Sequence, residues 1–316
     1  MSEINMRPTR FGFGKGVADI AEEEKMIIGL GADITTSVSM NFFKEKYPER
    51  FFSLGIAEQN IVTVAAGLAL SNFIPVFASY ATFITTRSLD QIRISICYNN
   101  LHVIIGGAHA GISVGPDGAT HQALEDIALM RSMPNMTVIS PCDATQTEIA
   151  VKQAITNLNG PVYIRFGREA VPDFTESGQN FKIGKGQIMK DGIDVTIIAT
   201  GHMVYESINA ARILNDKGVN AQVINIHTIK PIDKDLIIES AKKTQLVVTV
   251  EEHQIIGGLG SAVAEVLGQN YPCRIEFIGI PDCFGESGEP QQLLEKYKLN
   301  SYFIAERIFE TLKYKK

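Results

Sequence analysis

The chain has 316 residues, 45% of them hydrophobic and 20% charged, which is ordinary globular composition at about twice the usual domain length, so two cores are expected. A net charge of −6 with no long basic run gives no electrostatic footprint for nucleic acid, and no apolar run is long enough to span a membrane. Met1 to Asn5 lack the basic and apolar regions of a secretory signal, and Cys97, Cys142, Cys273 and Cys283 form no CxxC pair; the expected setting is cytoplasmic, with reduced cysteines and neither a zinc site nor a disulfide framework.

Apolar, β-rich runs at 26–30, 51–54, 74–77, 101–105, 136–139 and 162–166 alternate with helical patterns at 13–24, 37–46, 57–70, 82–96, 122–130 and 144–157. That alternation predicts a parallel α/β sheet. From Val171 to Gly192 the periodicity fades, and Pro172, Gly178, Gly184, Gly186 and Gly192 punctuate a polar linker. A second, smaller α/β unit follows, with strands at 195–199, 222–226, 246–250 and 274–278 and helices at 204–215, 234–243, 260–267 and 301–312. The expected organisation is a first domain at 1–172, a linker at 173–192 and a second domain at 193–316. Each domain is read as an open, parallel-type sheet with helices on both faces. The basic tail Lys313 to Lys316 reads as a frayed helix end.

Glu58 is conspicuous because a short apolar strand closed by Gly55 precedes it and a helix apolar around most of its circumference follows. Burial raises a carboxyl pKa while a helix N-terminus lowers it, so Glu58 suits a group that shares a proton. The alternative is a glutamate that merely complements the helix dipole, worth roughly 0.3–1 kcal/mol. The stretch His109 to Gln122 follows a strand, is rich in glycine and supplies two histidines and an aspartate. Its place beyond a strand end suits a ligand loop, although glycine turn chemistry and a helix-start role for His121 explain it equally well. Arg165 and Arg168 end another strand; their guanidinium forks suit a phosphate or a plain ion pair. Tyr80 and Phe83 read first as core aromatics. Gly12 to Gly16 has the wrong spacing for a phosphate loop, and Gly257 to Gly260 reads as a glycine-rich turn before an anion cradle.

Two segments carry a family resemblance. Gly55-Ile56-Ala57-Glu58-Gln59-Asn60 is similar to the glutamate motif of the transketolase family of thiamine-diphosphate enzymes, and Asp117-Gly118-Ala119-Thr120-His121-Gln122 resembles its DG-x-THQ motif. The resemblance spans nearly the whole chain and corresponds to the pyrimidine-binding and C-terminal domains of a split transketolase. It implies that Glu58 hydrogen-bonds N1′ of the cofactor's aminopyrimidine, favouring the imino form that deprotonates the thiazolium. Phe83 would stack on that pyrimidine with Tyr80 nearby, which reverses the plain core reading. Arg10, Ser37, His109 and Arg168 would cradle a sugar phosphate, Asp117 would bind a substrate hydroxyl, and His121 would act beside the donor's reacting carbon. Asp33 would lie at a subunit contact near the cofactor. Arg87 receives no role, because the family pattern shifts by one residue there.

The implied activity is transfer of a two-carbon ketol unit from a ketose phosphate to an aldose phosphate, chemistry of the pentose phosphate pathway. Synthases of 1-deoxyxylulose 5-phosphate share both motifs but differ where this chain has His109. The beta subunits of 2-oxoacid dehydrogenases lack the DG-x-THQ loop, and a noncatalytic partner would have no need of Glu58, Phe83 and His121. The GDG motif that holds Mg²⁺ and the diphosphate is missing from this sequence. The resemblance therefore implies an N-terminal partner subunit that supplies the Mg²⁺ ligands, self-association of this chain, and an assembly of two copies of each.

Overall fold

The computed structural model describes residues 5–176 and 181–313; Gly178 and the tail beyond Lys313 lie outside the described residues. The strands in chain order are β1 (Met6–Pro8), β2 (Ile27–Gly31), β3 (Phe51–Ser53), β4 (Ile74–Tyr80), β5 (Ile104–Ala108), β6 (Thr137–Ile139), β7 (Val162–Arg165), β8 (Ala170–Pro172), β9 (Gln187–Lys190), β10 (Val195–Ala199), β11 (Ala221–Asn225), β12 (Thr228–Lys230), β13 (Leu246–Gln254) and β14 (Arg274–Ile280). They form a seven-stranded sheet in the order β12-β6-β7-β5-β4-β2-β3, a five-stranded sheet in the order β14-β13-β10-β11-β9, and the small pair β1-β8.

Within the two large sheets every pairing is parallel except the edge strands β12 on β6 and β9 on β11. Residues of β2, β5, β10 and β11 are buried throughout, as expected of parallel strands covered by helices on both faces. The order of the first sheet reverses between β2 and β4: β3 lies on one side of β2 while β4 and β5 run off on the other. Loops at the carboxyl ends of strands around such a reversal are where open α/β sheets bind ligands.

Most elements fall where the residue pattern puts them, and the departures have local causes. The strand expected at 101–105 sits at 104–108 and takes in Gly106 and Gly107. A Cβ on Gly107 would collide with the Tyr163 ring, so close packing explains glycine inside the strand. The helix expected at 82–96 is broken at Ser88 and ends in a π-helical turn, Ile92–Cys97. Thr85 and Thr86 bond back to the carbonyls of Ala81 and Thr82, a habit that bends helices. Gly12, Gly14 and Gly16 lie in the helix Thr9–Ile20, where a Cβ would strike Ala144, Ser39 or Glu148; these glycines serve close backbone packing.

Two strands join the units more closely than the expected linker implies. β9 falls inside 173–192 and pairs with β11, and β12, from beyond the linker, closes the edge of the first sheet on β6. One apolar cluster also runs from Ile28 and Ile61 through Ile127 to Ile226, Leu259 and Val263.

Candidate functional site

Five strand ends of the first sheet deliver the site. After β3, Gly55 turns with φ +73° and the helix Glu58–Leu70 begins on Glu58 itself. Glu58 is 2% exposed; Ser79 Oγ donates to its Oε1 at 3.3 Å and Arg87 Nη1 to its Oε2 at 2.7 Å. After β4 the helix Ala81–Arg87 presents Phe83 and Arg87 on one face, four residues apart. The Arg87 guanidinium lies 4.5 Å from the Phe83 ring centroid. A flat cation thus touches the carboxylate and the ring at once, so Glu58, Arg87 and Phe83 form one cluster.

Tyr80 sits at the middle of the remaining groups. Its ring meets His109 at 4.8 Å, His121 at 5.4 Å and Phe83 at 5.8 Å between centroids, and His121 meets Phe83 at 5.1 Å. Tyr80 Oη lies 3.3 Å from Ser37 Oγ, in the loop after β2, and Arg10 Nη1 donates to the Ser37 carbonyl at 2.9 Å. His121 Nδ1 is 2.9 Å from Thr120 Oγ1. Arg168, just past β7, pairs with Asp117 at 3.1 Å.

His109, just past β5, is 2% exposed, and among the described residues its Nδ1 has no hydrogen-bond partner. Burial, with Arg10 and Arg168 adding to it, pushes its pKa down to about 3, so the imidazole is neutral at physiological pH. Burial and the neighbouring Arg168 also lower the Arg10 pKa. Two guanidinium groups, a neutral imidazole and a hydroxyl therefore share one end of the site, a donor set suited to a terminal anionic group.

The structure brings together Arg10, Ser37, Tyr80, Phe83, His109, Asp117, His121 and Arg168, with Glu58 joined to them through Arg87 and Phe83. Asp33 stands apart: it is exposed in the loop after β2 with φ +64° and, among the described residues, shares none of these contacts. Arg165 has a structural use, with Nε 2.9 Å from Asp126 Oδ2 and both side chains buried. Arg87 and Ser79 carry the contacts to Glu58 that residue-level reasoning missed. The spacing from Phe83 to Arg87 on one helix was the available signal for the first. No group of three or more His, Cys, Asp or Glu residues able to hold a metal ion occurs among the described residues.

Comparison with known proteins gives the chain's family. The family profile described as transketolase, pyrimidine binding domain, matches residues 5–173, and that of the transketolase C-terminal domain matches residues 184–304. The chain is 43% identical, over 96% of both sequences, to a putative transketolase C-terminal section of Methanocaldococcus jannaschii. It is 40% identical to a 6-deoxy-6-sulfo-D-fructose transketolase subunit of a Clostridium species, over 92% of this chain and 90% of that one. Among solved structures, a split-gene transketolase in an inactive beta4 tetramer superposes with a TM-score of 0.91 at 45% identity, covering 98% of this chain and 99% of the other.

Proposed function

The chain belongs to the transketolase family, and from that premise we propose that it is the C-terminal subunit of a thiamine-diphosphate-dependent transketolase that moves a two-carbon ketol unit between sugars carrying a terminal anion. The observation that carries the reading is the pairing of a buried Glu58 with a half-buried Phe83 beside His121 at neighbouring strand ends. Thiamine diphosphate, when bound, supplies the electron sink that lets a ketose carbon–carbon bond break and re-form. Glu58 and Phe83 would hold its aminopyrimidine, and Tyr80 backs the Phe83 ring.

This chain's own groups supply orientation and proton handling. Ser79 and Arg87 donate to the two oxygens of Glu58 and so aim the carboxyl group, which would hydrogen-bond a ring nitrogen of the cofactor. His121, held against Tyr80 and Phe83, would act beside the donor's reacting carbon. Asp117 would take a substrate hydroxyl, and Arg10, Ser37, His109 and Arg168 the terminal anion. The phosphate class is the first choice for that anion. The name of the Clostridium relative adds a sulfonate as a second chemistry for the same donors. Asp33, exposed, is proposed at the contact with another subunit near the cofactor.

We take residues 1–172 as the pyrimidine-binding domain, 173–192 as the linker and 193–316 as the C-terminal domain; β9, inside that linker, pairs with β11 of the second sheet. The diphosphate and its Mg²⁺ would be held by an N-terminal partner subunit in an assembly of two of each chain. The split-gene transketolase solved as an inactive beta4 tetramer supports self-association. Among the described residues no helix is long and apolar enough to cross a membrane, and the cytoplasm is the proposed location.

The test is ketol transfer from xylulose 5-phosphate to ribose 5-phosphate by this chain co-purified with a GDG-containing partner, thiamine diphosphate and Mg²⁺. Activity in the mixture and in neither subunit alone is the expected result. A stable cofactor-bound complex that turns over pyruvate in place of a ketose phosphate would defeat it.

A further inference from the structure

The loop that carries His109, Asp117 and His121 has a front, against Tyr80 and Phe83, and a back, which lies against the second unit. On the back, Glu252 of β13 accepts the Ser113 N–H on Oε2 at 3.1 Å and the Ser113 hydroxyl on Oε1 at 3.2 Å. His202 Nδ1 lies 3.0 Å from the same Oε1. Glu252 is 4% exposed, and Gly111, at φ +90°, sits so close that a Cβ there would enter its carboxyl group. Burial favours the neutral form of Glu252, but His202, Arg165 and Ser113 outweigh it and hold the pKa below the ordinary value, so the group is a carboxylate. Farther along, Gln122 Nε2 donates to Ile112 O at 3.1 Å and to Glu286 O at 2.9 Å, pinning the loop's far end to the second unit too.

Among the described residues, the Glu58 side chain has no such polar anchor in the second unit. Glu58 and Phe83 ride on helices that follow β3 and β4, and the contacts of Glu58 come from Ser79 and Arg87 within the first unit. Resting on the function proposed above, we infer that Glu252 is a positioning residue: by holding the backbone at Ser113 it sets where His109, Asp117 and His121 point, so the second unit templates the substrate half of the site while leaving the cofactor half alone. A buried carboxylate holding both a backbone N–H and a hydroxyl of one residue is a strong local anchor, because its removal leaves donors unsatisfied in the interior.

The test uses the full chain and its complex with the partner subunit, thiamine diphosphate and Mg²⁺, comparing wild type with Glu252→Gln, Ser113→Ala and the double variant. Amide hydrogen exchange in residues 109–122 is expected to quicken in both single variants, while exchange in the helix Glu58–Leu70 stays at the wild-type rate. With xylulose 5-phosphate as donor, Glu252→Gln is expected to lower kcat/KM by about tenfold to hundredfold, mostly through KM, with thiamine diphosphate affinity unchanged. Ser113→Ala should give a smaller loss in the same direction, and the double variant no more than Glu252→Gln alone. Wild-type exchange of the loop in both variants, or a fall in cofactor affinity as large as that in kcat/KM, would overturn the proposal. If Glu252→Gln does not fold, Ser113→Ala carries the same comparison. Hydrogen exchange reads the loop without turnover, so a wild-type complex inactive on ketose phosphates defeats the functional reading and leaves this inference to be decided by the loop.

Discussion

Both units place a helix N-terminus after a parallel strand, yet they use it in opposite ways. In the second unit, β13 runs through Gly257 and Gly258 into the helix Leu259–Asn270, and the N–H groups of Leu259 and Gly260 are taken by Glu251 at 2.7 and 2.8 Å. Glu251 is 1% exposed, and its Oε2 lies 3.8 Å from the equally buried His253, so the donors are consumed internally. In the first unit, the helix after β3 opens on Glu58, and His109, against Tyr80, keeps a ring nitrogen without a partner among the described residues. The second unit thus closes its helix start with its own carboxylate, whereas the carboxylate that opens the first unit's helix is held by Ser79 and Arg87 beside an aromatic and histidine cluster.

The sharpest way to break this contrast is substitution of the two glutamates. Glu58→Gln is expected to lower kcat of the assembled complex by on the order of 10²-fold or more, with partner binding and unfolding midpoint close to wild type. Unchanged turnover would take Glu58 out of the chemistry. Glu251→Ala should do the reverse: two buried N–H groups lose their acceptor, costing about 1–3 kcal/mol in urea unfolding, while kcat of the folded complex is retained. Loss of activity without loss of stability would erase the distinction between the units.

Two further measurements sharpen the account of the first unit. Arg168→Ala removes a guanidinium from the anion end and is expected to raise KM for a ketose phosphate about tenfold with little change in kcat. A fall in kcat at constant KM would move Arg168 from anion binding to the reacting centre. The last measurement concerns acid. His109 has its folded pKa near 3 against an ordinary 6.5, so the unfolded chain takes up its proton first as pH falls. The contribution is fully present above about pH 6.5 and is lost as pH drops toward 3; His227, depressed by its own burial, behaves in the same direction. In His109→Asn the slope of unfolding free energy against pH in this window should flatten by at most ~1.4 kcal/mol per unit. An unaltered slope would mean that His109 is not held neutral.

How much of this was readable beforehand follows from the range of the interactions. The strand Val195–Ala199 and the helix Ala144–Asn157 emerge at their expected bounds because a local period and, for the helix, the cap Asp143 on Gln146 define them. The motif residues Glu58, Phe83 and His121 were legible through resemblance, and the sheet reversal places them at strand ends. Contacts across the two units were not legible: Ser113 and Glu252 lie 139 residues apart, and no local pattern links them. The short strands β1, β8, β9 and β12 escaped because three or four residues carry too little periodicity to register, and the helix Pro290–Lys296 is only two turns long. Arg87 was set aside because its place in the family pattern was shifted, whereas its place on the helix beside Phe83 already pointed to the same partner.

The strand β12 bears on how this chain can be divided. It comes from the second unit and covers the outer edge of β6, the last parallel strand on that side of the first sheet. A fragment ending at the expected boundary would therefore display a bare row of amide and carbonyl groups, the template on which neighbouring molecules add strands and aggregate. Modularity in this protein thus stops at the whole chain: the pyrimidine-binding half is not a portable part, and any exchange of halves between relatives has to carry this strand along with the sheet it closes.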